Sequence, residues 1–221
     1  MTAQRRPWIV GVTGASGTPY AATLLRAMLD AGEQVDLVVS QAARLTILDE
    51  TGVRLRDKHW RDDIASWIGR DATDVAYWSC TDLAAGPSSG SYLTKGMVVI
   101  PATTASIAGI ALGISKDLLQ RAADVTLKER RPLMLVVREA PLRPVILEHL
   151  LSLSREGASV IPASPAFYAG GRDVQQLIDF LVGKVLDLCH VDHDLYRRWT
   201  GELGAARGLT ACGEDGLPPH E

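Results

Sequence analysis

Short apolar runs alternate with amphipathic helical segments along the whole chain, and few architectures accept that order. Pro7 to Thr13, Val35 to Val39, Gly96 to Pro101, Leu133 to Val137 and Ser159 to Ile161 have the length and apolarity of strands covered on both faces. Asp74 to Trp78 reads as a further strand at an edge. Between them the spacing predicts helices at Thr18 to Ala31, Ser40 to about Glu50, Ser115 to Lys128, Arg143 to about Glu156 and Asp173 to Cys189. Ala102-Thr-Thr-Ala-Ser106 opens one more helix. His59 to Ile68 is a short helix with Trp60, Trp67 and Ile68 as its apolar face, and the role of residues 51–74 stays open. Strands and helices joined by short connections imply an α/β fold, a doubly wound parallel sheet in a single domain. The domain is expected over residues 1–202, with a poorly ordered tail at 203–221.

Within that fold, Arg121-Ala-Ala-Asp-Val-Thr-Leu-Lys-Glu-Arg-Arg-Pro-Leu-Met-Leu-Val-Val-Arg-Glu-Ala-Pro141 is the most informative stretch. It reads as a helix end stopped by Pro132, a turn and a buried central strand. Arg138 and Glu139 follow the strand and so belong to the carboxyl edge, where open α/β sheets bind ligands. With Arg121, Lys128, Arg130 and Arg131 nearby, that edge is expected to be cationic, suited to a phosphorylated ligand whose chemistry moves a proton. A capped helix with solvated charges is the alternative.

Gly11-Val-Thr-Gly-Ala-Ser-Gly17 joins the first strand to the first helix, where free N–H groups and the helix dipole can receive a phosphate. The glycine spacing is not the dinucleotide G-x-G-x-x-G. No acid ends the second strand either, since Asp36 begins it and Ser40 occupies the end. A short-chain dehydrogenase would need glycines at Thr18 and Tyr20, and no tyrosine has a lysine four residues on. A mononucleotide such as FMN remains, with Ser16, Ser40 and the Thr103 to Ser106 turn offering hydroxyls and N–H groups. A tight turn without a ligand remains too.

The formal net charge of −3 argues against general attraction to nucleic acid, so the basic cluster must act locally. No window holds the ~18 uncharged apolar residues of a membrane span. Met-Thr-Ala-Gln-Arg-Arg-Pro runs straight into a strand without a secretory apolar segment, and a cytoplasmic protein is expected. Cys80, Cys189 and Cys212 form no paired motif and read as reduced thiols. Cys189-His-Val-Asp-His193 lies at a helix end among solvated charges, so no metal is expected there. Ala84-Ala-Gly-Pro-Ser-Ser-Gly-Ser91 has the composition of a functional loop. Trp60, Trp67 and Trp199 are first read as packing residues, Trp199 being the most open to another role.

Gly14-Ala-Ser-Gly17, Ser89-Gly-Ser91, Arg121-Ala-Ala-Asp124, Leu127-Lys-Glu-Arg-Arg-Pro-Leu133, Arg138-Glu-Ala-Pro141 and Pro165-Ala-Phe-Tyr168 together resemble the UbiX family of flavin prenyltransferases, in order from about residue 7 to 200. The resemblance implies a Rossmann-like flavoprotein that joins reduced FMN and dimethylallyl phosphate without a metal. The prenyl carbon bonds to flavin N5 and closes a ring at C6, and the prenylated FMN serves UbiD-type decarboxylases. It further implies a homododecamer with active sites between subunits. Carried over, Gly14, Ala15, Ser16, Ser40, Thr103, Thr104, Ala105, Ser106 and Arg138 hold FMN. Lys128, Tyr168 and Lys184 grip the prenyl phosphate, with Ser89, Gly90, Arg121 and Glu50 as further pocket residues. Ser16 and Glu139 take the acid/base positions, with Lys128 as the third catalytic residue.

The chain departs from the family pattern at three places. Lys184 stands where many relatives carry Arg, which keeps the charge and loses bidentate geometry. Ala102-Thr-Thr-Ala-Ser106 replaces the commoner Cys-Ser-x-x-Thr, and Ala169-Gly-Gly171 is unusual. Two other readings compete. A cysteine-decarboxylase-like flavoprotein would need an early His and an Asn-containing motif after the fourth strand, but the first histidine is His59 and Thr103-Thr104 follow Pro101 and Ala102. A non-catalytic FMN-binding accessory subunit of a decarboxylase would not need Lys128, Glu139 and Tyr168.

Overall fold

In the computed structural model, which describes residues 6–166 and 173–199, the elements run in chain order as follows. They are β1 (Trp8–Val12), α1 (Thr18–Asp30), β2 (Val35–Val39), α2 (Gln41–Thr51), α3 (Trp60–Ile68), β3 (Val75–Ser79), β4 (Gly96–Ala102), α4 (Thr104–Ala111), α5 (Leu118–Lys128), β5 (Leu133–Val137), α6 (Pro144–Arg155), β6 (Ser159–Pro162) and α7 (Val174–Leu188). Short 3₁₀ turns precede α3 at Asp57–His59 and precede β4 at Gly86–Ser88. The strands form one parallel sheet in the order β3-β2-β1-β4-β5-β6. That is the doubly wound order with its switch point between β1 and β4. The poorly ordered tail expected at 203–221 falls outside the described residues.

Period-two alternation sorts the strand side chains onto two faces. Trp8, Val10, Val12, Val98, Ile100, Met134 and Val136 join one core with α1, α2, α3 and α7. Ile9, Met97, Val99, Leu133, Leu135 and Val137 join the other with α4, α5 and α6. With both faces covered, the strands can be apolar throughout. Residues 51–74, open in function from sequence, have a packing role: Leu55, Ile64, Trp67 and Ile68 extend the first core, and Trp60 stacks on Tyr77 of β3 at 5.8 Å between ring centroids.

Helix starts follow the capping rules. Ser40 accepts from the Ala43 N–H at 3.1 Å, Thr103 from Ser106 at 3.2 Å, Asp117 from Gln120 at 2.9 Å and Asp173 from Gln176 at 2.8 Å. Asp117 corrects the expected start of α5: Ser115 has φ +50°, so the helix begins at Leu118 rather than Ser115. A second correction concerns β5, which is interior but lies next to the edge strand β6 rather than at the centre.

Pro132 is not what ends α5. The Arg130 N–H donates to the Leu127 carbonyl and the Arg131 N–H to Thr126, both at 2.9 Å, a Schellman turn with Arg130 at φ +55°. Left-handed backbone costs a side-chain-bearing residue about 1–2 kcal/mol, which glycine escapes at a smaller entropic cost in the unfolded chain. Arg130→Gly is therefore expected to raise stability by about 0.5–1 kcal/mol, read as a higher midpoint in urea at unchanged slope.

Candidate active site

At the switch point two turns are tied together by one side chain. Thr13 is buried; its Oγ1 donates to the Pro101 carbonyl at 2.5 Å and accepts from the Thr103 N–H at 2.8 Å. The turn after β1 is thus fixed against the turn after β4. Gly14 lies against α2, and a Cβ built on it would fall 2.5 Å from the Ala42 Cβ. Gly17 has φ +116°, a conformation that glycine adopts readily. Sequence reasoning missed Thr13; a hydroxyl directly after a buried strand was the available signal.

The start of α1 already serves an anion. The Gly17 N–H donates to Glu50 Oε1 at 2.9 Å, while the Thr18 N–H and Oγ1 donate to Oε2 at 2.8 and 2.6 Å. Burial works against the Glu50 carboxylate, but hydrogen bonds from Thr18, Ser16 and the backbone of Gly17 outweigh it and hold the group below its ordinary value. The expectation of free N–H groups across this turn is corrected at Gly17 and Thr18. Glu50 takes this place because α2 ends beside the turn.

On the other side of the switch point, α4 presents its N-terminus. Thr103 Oγ1 caps Ser106 and donates to Ser106 Oγ at 3.0 Å, and the first N–H groups, of Thr104 and Ala105, have no intrahelical acceptor. Arg138 follows β5 at the same edge and lies beside Gly17 and Tyr20. Its Nε is buried without a hydrogen-bond partner. Burial raises the Tyr20 phenol above its usual range, against the pull of Arg138. A buried guanidinium N–H lacking an acceptor, an open helix N-terminus and the Ser40 and Ser106 hydroxyls fit a flavin mononucleotide, which brings a phosphate and hydrogen-bonding ring atoms. Glu139 stands next to Arg138, exposed, its Oε1 accepting from the Ala140 N–H at 3.1 Å.

The cationic residues lie elsewhere. Lys128, Arg130 and Arg131 precede β5, whereas Arg138 and Glu139 follow it, and five strand residues span about 17 Å. The expected cationic carboxyl edge is corrected: those three sit at the amino end of β5. There Lys128 Nζ meets Glu129 Oε1 at 2.6 Å, close to Gly90. Arg121, further back along α5, donates to the Ser88 carbonyl at 3.1 Å and pairs with Asp124 at 2.8 Å. Ser89 and Gly90 therefore join Lys128, not Ser16. Lys184 is on α7 against the opposite face of the sheet, half-exposed and 3.5 Å from Asp187. Burial raises the Asp187 carboxyl, but hydrogen bonds from Tyr196, Arg198 and His193 pull it far below the usual range. Tyr168 falls outside the described residues. Among those described, no three His, Cys, Asp or Glu side chains form a metal-binding group, and no helix is long and apolar enough to cross a membrane.

The flavoprotein family model matches residues 1–186. Flavin prenyltransferase UbiX of Streptomyces coelicolor is 62% identical over 212 residues, covering 91% of this chain and 98% of that protein. The chain belongs to the UbiX family of flavin prenyltransferases. Among solved UbiX structures, AnUbiX (PadA1) in complex with FMN and dimethylallyl pyrophosphate is 36% identical with a TM-score of 0.80, covering 90% of this chain and 100% of that one. A dodecameric FMN-dependent UbiX-like decarboxylase from Escherichia coli O157:H7 is 39% identical with a TM-score of 0.79, covering 88% and 100%. The UbiX resemblance is thus borne out over the whole described sheet.

In this UbiX-family chain the Glu50 contact makes a pH prediction. A carboxylate whose folded value is depressed stabilises above its unfolded value, about 4.3, and the contribution disappears as pH falls through the folded value. Glu50→Ala should cost about 1 kcal/mol at pH 7, the scale of a lost helix cap. The gap in melting temperature between wild type and variant should close on acidification below pH 4, and a pH-independent gap would remove the charge from the account.

Proposed function

We propose that this chain is a flavin prenyltransferase that joins the dimethylallyl group of dimethylallyl phosphate to N5 and C6 of reduced FMN. Phosphate leaves, and the prenylated FMN passes to a UbiD-type decarboxylase as its cofactor. The observation that carries this reading is the 62% identity to a named flavin prenyltransferase across 91% of the chain. FMN and dimethylallyl pyrophosphate bound together in AnUbiX support FMN and a dimethylallyl donor carrying phosphate.

When bound, reduced FMN supplies the nucleophilic nitrogen and carbon. The protein's part is to hold, orient and move protons. Gly14, Ala15, Ser16, Ser40, the Thr103 to Ser106 turn and Arg138 bind FMN at the carboxyl edge, Arg138 through the Nε that otherwise lacks an acceptor. Lys128, Tyr168 and Lys184, with Ser89, Gly90 and Arg121, bind the donor phosphate, and their charge favours its departure as an anion. Glu139, free of any ion pair among the described residues, takes the proton released at the ring and passes it to the leaving phosphate, with Ser16 as the second proton-handling group. Glu50 lines the pocket from α2.

A single copy does not bring these halves together, because β5 lies between Lys128 and Glu139. We therefore assign the complete site to the junction of copies in a homododecamer, the donor half of one copy meeting the flavin half of another. The dodecameric state of the E. coli relative supports this.

Anaerobic incubation of the protein with reduced FMN and dimethylallyl phosphate should add one five-carbon unit to the mass of the bound flavin. Flavin that binds and stays unmodified, with the diphosphate donor as well, would instead make the chain an FMN-binding accessory subunit. Glu139→Gln should bind FMN normally and lose roughly 10²–10⁴-fold in turnover. Co-expressed Lys128→Ala and Glu139→Gln chains should regain activity that neither has alone, whereas sites built within one chain would leave the mixture inactive.

A further inference from the structure

We propose that Arg131 is a positioning residue for the donor half of the site: it holds the Ser89–Ser91 loop against Lys128 and so sets the affinity for the prenyl phosphate. This rests on the prenyltransferase reading above. The loop has little to fix its shape by itself. Its own turns close at Ala85–Ser88, Gly86–Ser89 and Ser89–Tyr92, and Ser89 Oγ and Ser91 Oγ lie 3.0 Å apart. Arg121 holds its start through the Ser88 carbonyl, and Arg131 holds the remainder. Its Nη2 donates to the Gly90 carbonyl at 2.6 Å, and its Nη1 donates to the Tyr92 carbonyl at 2.8 Å and to Thr94 Oγ1 at 3.2 Å. Tyr92 is held in turn by its hydroxyl, which donates to the buried Asp36 at 2.7 Å.

The consequence falls on Lys128. A Cβ built on Gly90 would lie 2.1 Å from Glu129 Oε1 and 2.9 Å from Lys128 Nζ, so the loop backbone presses directly on the Lys128–Glu129 pair. An ammonium on a four-carbon stem has no preferred direction of its own, and the wall at Gly90 gives it one. Both terminal nitrogens of Arg131 donate to the loop, so its part is to hold the backbone there rather than to contact the phosphate. The Schellman turn aims it there: Arg130 in the left-handed region sends the next residue back along α5 towards Gly90. Only a fork can reach the two carbonyls at once, so lysine is not a substitute.

The test is steady-state kinetics of Arg131→Lys and Arg131→Gln with reduced FMN and dimethylallyl phosphate, alongside FMN titration, melting temperature and amide hydrogen exchange of residues 88–94. The flavin half lies at the other edge of the sheet, so FMN affinity should stay at the wild-type value and show that both variants fold. KM for the prenyl donor should rise about 10- to 100-fold, the cost of misplacing a binding group by about 1 Å. The kcat should change by less, and exchange at 88–94 should quicken. Arg56→Gln, which breaks a similar side-chain fork onto Asp63 at neither half of the site, should lower the melting temperature and leave KM unchanged. If wild type prenylates FMN and the Arg131 variants keep its donor KM, or lose only stability as Arg56→Gln does, the inference fails alone. If wild type leaves FMN unmodified, it fails together with the reading beneath it.

Discussion

Because all six strands run in one direction, every strand-to-helix turn opens at one edge of the sheet and every helix-to-strand turn at the other. Parallel pairing is the constraint from which the rest follows. It collects Thr13–Gly17, Ser40, Thr103–Ser106 and Arg138–Glu139 at the carboxyl edge, although they are spread over more than a hundred residues of sequence. It sends Lys128, Arg131 and the Ser89–Thr94 loop to the amino edge. No side chain spans the five residues of β5, so a reaction that needs Glu139 beside Lys128 has to draw them from different copies of the chain. On the proposed reading, assembly then belongs to the chemistry itself, not to stability alone.

The same polarity decides how anions are distributed. Two helices, α1 and α4, point their N-termini at the switch point, and Thr13 fixes the distance between their turns. One of them is satisfied internally by Glu50, whose carboxylate takes the Gly17 and Thr18 N–H groups. A second anion at those groups would sit against the first, and like charges at such separations repel by several kcal/mol at a partly buried site. The donors left for a phosphate at this edge are the N–H groups of the turn before Gly17 and those of α4, with Arg138 beside Gly17. Glu50 thus occupies the first N–H groups of α1 and stabilises its first turn.

Much of this was legible in the residues. Apolar runs of strand length gave the strands, and Ser40 and Asp173 announced helix starts through the hydroxyl or carboxylate that caps them. Arg138 and Glu139 were placed at the carboxyl edge because a buried strand precedes them. What misled was adjacency in sequence. Lys128, Arg130 and Arg131 stand within eleven residues of Glu139, and a list of neighbours does not show that an extended strand carries the chain from one edge to the other. The start of α5 was set too early because helical periodicity continues through Ser115 while its backbone does not. Thr13 was passed over since its partners, Pro101 and Thr103, lie about ninety residues away, and the hydroxyl directly after a buried strand does not by itself say what it pairs with.

Lys184 shows how a departure from the family pattern can be consistent with the task proposed for it. Asp187 beside it accepts from Tyr196 at 2.6 Å, Arg198 at 2.9 Å and His193 at 3.1 Å, which together bind residues 193–198 to α7. Lys184 reaches the same carboxylate only at 3.5 Å, the weakest of the four contacts. A guanidinium there could fork onto Asp187 and be held by it, whereas an ammonium is a point charge that surrenders a long, half-exposed contact at little cost. With Asp187 already satisfied by three other donors, the Lys184 charge stays available for the phosphate contact proposed for it. The price is geometric, since one ammonium fixes an anion's position less firmly than a fork. On the proposed reading, that places more of the orientation on Lys128, and hence on the loop that Arg131 holds.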